Sequence, residues 1–106
     1  MDYRVAFADT AWEPALEGTA RLKRVVRGGK VFRLVELTPQ TRHPNWCETG
    51  HLGFIVEGAL EIEFEGTTTR FSAGDALNIP HGPADRHRPR SLTDRMLMLL
   101  IEDEDA

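Results

Sequence analysis

Between Ala59 and Glu65 the chain reads A-L-E-I-E-F-E, with Leu60, Ile62 and Phe64 alternating with Glu61, Glu63 and Glu65. A period of two predicts a strand with one buried face and one face in water. Gly58 and Gly66 punctuate its ends. Upstream, "RLKRVV" and "KVFRLVEL" flank Arg27-Gly28-Gly29-Lys30. A Gly-Gly pair supplies the positive φ angles of a tight turn, so the two runs predict a hairpin. "TPQTRHPNWCETG" holds two prolines, an asparagine and a glycine, and reads as a loop or a broken edge. "TTTRFSAGDALNIPHGPADRHRPR" predicts short strands cut by Ala73-Gly74-Asp75 and by Pro80-His81-Gly82-Pro83. "DRMLMLLI" predicts a long strand buried on both faces, and residues 102–106, "EDEDA", a solvated acidic tail. Residues 1–20 read as an N-terminal extension. Only "TAWEPALEG" there suits a helical turn, and Pro14 limits it.

Short strands at turn-marked intervals with little or no helix predict an all-β fold, a sandwich or barrel that hides its strand edges. A chain of 106 residues with no repeat and no linker predicts a single domain over residues 1–106. The composition, 41% hydrophobic and 28% charged, is ordinary for a soluble protein. No apolar run approaches the roughly 20 residues that span a bilayer, and the acid-bearing N-terminus lacks the pattern of a signal peptide. These features set the expectation of a cytoplasmic protein with no membrane partner. The net charge of −4 argues against nucleic acid as a partner. "RLKRVVRGGK" carries five basic residues in ten, but they gather on no single face and read as a solvated hairpin.

The lone Cys47 stands four residues before His51. A single cysteine makes no internal disulfide, which leaves Cys47 as a thiolate ligand, a nucleophile or a small buried hydrophobe. The spacing alone does not choose among these.

Two stretches, about residues 45–58 and 74–89, resemble the two motifs of the cupin superfamily, small double-sheet β-barrels. The second motif runs glycine, five residues, proline, any residue, glycine, two residues, histidine. Gly74, Pro80 and Gly82 match it, with Asp75 after the first glycine. Asp85 takes the histidine position, and His87 follows two residues later. The first motif runs histidine, any residue, histidine, three or four residues, glutamate, six residues, glycine. Counting back from Gly58 places His51 at the glutamate, Cys47 at the second histidine and Asn45 at the first. "WCETGHLG" is further similar to short single-domain cupins reading W-C-x-x-G-H-x-G, a resemblance that brings no established activity.

The resemblance implies an antiparallel jelly-roll barrel, a double-stranded β-helix, in which Cys47, His51, His87 and Asp85 meet as metal ligands. A mixed S/N/O set suits a divalent transition metal, zinc first, with iron, nickel or cobalt as alternatives. Asp85 has a second role open to it, orienting His87 or pairing with a nearby arginine. An open coordination position implies a small-molecule ligand such as a carboxylate or a sugar acid, and the long apolar last strand implies a homodimer. Trp46, Phe54, Met96 and Met98 are expected in the barrel wall, and His43 and His81 in solvent-facing turns. Three readings stay open: an enzyme with no assignable reaction or catalytic residue, a non-catalytic binding or sensor barrel, and a barrel that has lost its metal.

Overall fold

The computed structural model describes residues 3–43 and 45–105. Its first hairpin forms where the glycine pair requires it, with Gly28 and Gly29 at φ 60° and 76° joining β2 (Ala20–Arg27) to β3 (Lys30–Leu37). Ahead of it lies β1 (Glu13–Ala15). After it come β4 (His51–Glu57), β5 (Ala59–Phe64), β6 (Thr67–Ser72), β7 (Ala76–Ile79), β8 (His87–Ser91) and β9 (Met96–Asp103). Every pairing is antiparallel. The strands form one six-stranded sheet, β1-β2-β3-β9-β4-β7, and one three-stranded sheet, β6-β5-β8. The only helical turns among the described residues are two short 3-10 turns, Phe7–Asp9 and Pro83–Asp85. This is the all-β architecture that the strand pattern predicts and the antiparallel jelly roll that the family resemblance implies.

The core lies between the two sheets. Leu37, Ile55, Leu60 and Met96 are fully buried there, joined by Val35, Ile62, Leu77, Ile79, Met98 and Leu100. On β5 the alternation holds as read, with Leu60 and Ile62 buried and Phe64 partly covered. The outward glutamates are not simply solvated. The register sets Glu61 opposite Arg90 and Glu63 opposite Arg88, and both pairs make ion contacts, while Arg86 meets Glu65. Exposed pairs of this kind are worth at most about 1 kcal/mol each, so they select the register more than they stabilise it.

Three expectations need correction. "TAWEPALEG" forms no helical turn: Glu13–Ala15 pairs with Arg21, Leu22 and Ala20 as an edge strand, so the extension belongs to the six-stranded sheet. The acidic tail also begins later than residue 102. Strand β9 continues to Asp103, and its two-residue period carries Met96, Met98, Leu100 and then Glu102 inward, leaving Glu102 8% exposed. Nor is β9 buried on both faces as expected: its opposite side, with Leu97, Leu99 and Ile101, is only half-buried. It pairs across to β4, where Leu52, Phe54 and Val56 are 56%, 45% and 49% exposed. The outer face of the six-stranded sheet is therefore apolar and largely open, and Phe54 is a wall residue that points outward. No helix among the described residues is long and apolar enough to cross a membrane.

Gly58 shows how closely the sheets are joined. It sits at φ 79°, and a Cβ there would run into the Arg95 carbonyl oxygen and Thr93 Oγ1. Gly66, at φ 85°, faces open space. Gly58→Ala is expected to destabilise the fold by more than about 2 kcal/mol, since backbone strain and overlap add. Gly66→Ala should cost about 1 kcal/mol from strain alone. Denaturant unfolding of both variants measures the difference.

Candidate metal centre

The loop that carries Cys47 is clipped to the start of β8 by two backbone hydrogen bonds. Cys47 N–H donates to the His87 carbonyl (2.8 Å), and His87 N–H donates to the Cys47 carbonyl (2.9 Å). The preceding residue strengthens the clip. The Trp46 ring lies beneath the guanidinium groups of Arg88 (4.2 Å) and Arg86 (5.0 Å), which flank His87 in sequence. His51 opens β4 and faces inward opposite Ile79. The three side chains converge: the ligating atoms of Cys47, His51 and His87 all lie within 4.8 Å of one another.

Cys47 Sγ stands 4.0 Å from His51 Nε2. The His51 and His87 rings meet edge to face at 5.2 Å, and Phe64 borders His87 from the three-stranded sheet. Each imidazole faces an acceptor on its far side. His87 Nδ1 donates to the Asp85 carbonyl at 2.9 Å, which leaves Nε2 free of its proton in the neutral ring. That Nε2 is buried, in a residue only 4% exposed, and has no hydrogen-bond partner. His51 Nδ1 lies 2.8 Å from Glu102 Oε2, off the line of a good hydrogen bond, and Arg33 contacts the other Glu102 oxygen.

These surroundings set the charge of the thiol. His51 first, and His87 second, favour the thiolate strongly enough to outweigh burial, with help from the Thr49 backbone, and Cys47 is lowered to about 5. His87 moves the other way. Burial opposes its charge, but Cys47, the Asp85 carbonyl and the Asp85 carboxylate together raise it above the ordinary imidazole value. The two groups titrate as a coupled pair, thiolate against imidazolium.

The residues expected from the sequence divide clearly. Cys47, His51 and His87 come together, but the Asp85 carboxylate does not join their group. Alternation along a strand placed Asp85 on the His87 face, yet β8 begins at His87 and Asp85 ends a 3-10 turn, so the two-residue period does not reach it. Asp85 orients His87 through its main chain instead. Asn45 is exposed, and His81 is exposed with Nδ1 accepting from Gly50 N–H at 3.4 Å. His43 is half-buried rather than solvent-facing, and it lines the cavity beside the cluster with Nδ1 donating to the Asn45 carbonyl at 2.8 Å. Glu102 and Arg33 were not expected at the site. The alternation Met96, Met98, Leu100, Glu102 was the available signal, hidden because Glu102 opens an acidic run.

The family pattern described as "Cupin domain" matches residues 33–101. Among solved structures, the chain is similar to protein NMB1881 from Neisseria meningitidis, at 27% identity and a TM-score of 0.64, over 78% of this chain and 82% of that one. It is similar in fold to KdgF from Halomonas sp., at 24% identity and a TM-score of 0.74, over 98% and 96% of the two chains. The polyketide cyclase RemF from Streptomyces resistomycificus shares the fold at 20% identity and a TM-score of 0.74, over 97% of this chain and 80% of that one. No curated protein matches the chain in sequence.

A thiol lowered to about 5 is ionised at neutral pH and gains its proton only as pH falls through that value. Ultraviolet titration of metal-free protein is expected to show thiolate absorbance persisting at neutral pH and fading with a midpoint near 5. In His51→Ala the midpoint should move up toward that of an ordinary thiol, because the largest stabilising partner is gone.

Proposed function

The chain belongs to the cupin family, and we propose that it is a metal-binding barrel in which Cys47, His51 and His87 hold one divalent transition metal beside a small-molecule cavity. The observation that carries this reading is the buried, unpartnered His87 Nε2 in a group whose ligating atoms lie within 4.8 Å. Leaving a buried polar atom unsatisfied costs roughly 1–3 kcal/mol, and a bound ion removes that cost. Ligands bonded to one ion at about 2.0–2.3 Å lie about 3–4 Å apart, so small side-chain rotations bring these three into range. One thiolate and two imidazoles suit zinc first, then iron, nickel or cobalt. When bound, the metal supplies a Lewis acid toward an oxygen of a small ligand such as a carboxylate.

The chain's own groups prepare this centre. The Asp85 carbonyl fixes the His87 tautomer, Glu102 faces Nδ1 of His51, and Arg33 compensates the Glu102 charge. No reaction belongs to this reading. Beyond the three candidate ligands, the one further imidazole on the cavity wall is His43. That scarcity of proton carriers supports a binding or sensing barrel as the second reading. A lone thiolate suits the reducing cytoplasm, where we place the protein. We also propose a homodimer through the open apolar face at Leu52, Phe54 and Val56, continuous with Leu97, Leu99 and Ile101 of β9.

Elemental analysis of protein purified without chelator or metal-affinity tag tests the centre. One transition metal per chain is expected, lost in Cys47→Ala and His51→Ala; absence of metal with no uptake of zinc, iron or nickel would overturn the reading. Glu102→Gln should keep the stoichiometry at saturating metal while weakening affinity about 10- to 100-fold. Sedimentation should show a dimer that Leu52→Lys combined with Phe54→Lys converts to a folded monomer, and a monomeric unmodified protein would remove the dimer proposal.

A further inference from the structure

We infer that the ligand held beside the metal centre is a monocarboxylate whose apolar body is about the size of a benzene ring, seated against Leu16, and not a polyhydroxylated acid. This inference rests on the metal reading and narrows its ligand. The cavity that contains Cys47, His51 and His87 on its wall measures about 170 Å³. A buried apolar cavity of about 150 Å³ is enough to take up benzene. The remaining wall is largely aliphatic, with Leu22, Val35, Leu77 and Met98 from the six-stranded sheet and Ile62 from the three-stranded one.

Polar groups on that wall are few. Arg33 is already engaged by Glu102, and His43 spends Nδ1 on the Asn45 carbonyl. A sugar acid would bring several hydroxyls into a space with almost nothing to bond them, and each buried hydroxyl without a partner is unfavourable. An apolar body meets no such penalty. The head is a different matter. A divalent ion with one thiolate and two neutral imidazoles retains a single positive charge, and the Arg33–Glu102 pair is neutral, so the centre favours one anionic group.

The backbone supplies an independent observation at the same place. The β1–β2 turn holds three successive residues in the left-handed region, Leu16 at φ 49°, Glu17 at φ 59° and Gly18 at φ 80°. For Leu and Glu this conformation is strained, and such strain persists only where surrounding structure imposes it. Here Thr19 Oγ1 donates to the Leu16 carbonyl (2.6 Å) and accepts from Arg42 N–H (2.9 Å), while Thr41 Oγ1 donates to the Thr19 carbonyl (2.9 Å). The result places Leu16 on the cavity wall and against the core. A strained turn pinned to a neighbouring loop thus sets the size of the space, which makes Leu16 the specificity-determining residue.

Calorimetry on the zinc-loaded protein with benzoate, acetate and gluconate tests this. Benzoate is expected to bind at least tenfold more tightly than acetate or gluconate and to shift the NMR methyl signal of Met98. Leu16→Trp should bring the ratio of benzoate to acetate affinity down toward one, with zinc stoichiometry as the control that the centre is intact. If that variant misfolds, Ile62→Phe narrows the same space from the opposite sheet. Should gluconate or acetate bind zinc-loaded protein as tightly as benzoate, the inference is wrong and the metal reading stands. Failure to load zinc at all would defeat both, and the metal analysis registers it before any ligand is added.

Discussion

Two hydrogen bonds between Cys47 and His87 hold the site together. They bring the loop to the first residue of β8 and so set the thiol facing an imidazole forty residues away. Backbone pairing of this kind is strong in geometry but modest in net free energy, about 1 kcal/mol per bond. The Trp46 ring under Arg86 and Arg88 adds a second, side-chain hold at the same point. Because His87 is also the first residue of β8, the register that pairs Glu61 with Arg90 and Glu63 with Arg88 propagates directly to the position of the cluster.

A partly buried charge system also borders the cluster. Glu102 sits between Arg33 and His51, each facing one of its oxygens. Removing charges from water costs several kcal/mol per ion, which a close pair often only balances. Such a triad therefore contributes little to stability in sum. Its place beside the cluster is what counts: Glu102 faces Nδ1 of His51, while Nε2 of the same ring faces Cys47. Nδ1 of His87 meets a main-chain carbonyl instead, which carries no desolvated charge.

The barrel presents different outer faces. The three-stranded sheet shows a ladder of ion pairs to water, whereas the six-stranded sheet shows Leu52, Phe54 and Val56 beside the partly covered side of β9. Inside, the largely aliphatic wall and the cluster share one partly open cavity, and the strained turn places Leu16 on its wall. The polar centre thus lies in a low-dielectric setting, where each charge that remains unpaired acts strongly.

The chain alone determined the strands, because period-two alternation and paired glycines are local signals that burial on one face enforces. Its resemblance to the cupin motifs at Gly58, Gly74, Pro80 and Gly82 implied the barrel framework and singled out Cys47, His51, His87 and Asp85. Local pattern went astray where tertiary contacts overrode it. Pro14 and its neighbours became an edge strand because β2 offered open backbone groups. Glu102 turned inward because β9 extended to pair with Val31. Asp85 lost its assigned face because a 3-10 turn ended before β8 began. Only the folded arrangement decided that Asp85 bonds His87 through its carbonyl, that Arg33 and Glu102 border the site, and that the rest of the cavity wall is largely aliphatic. Those facts depend on which strands become neighbours, and long-range pairing leaves no mark on any short stretch of sequence.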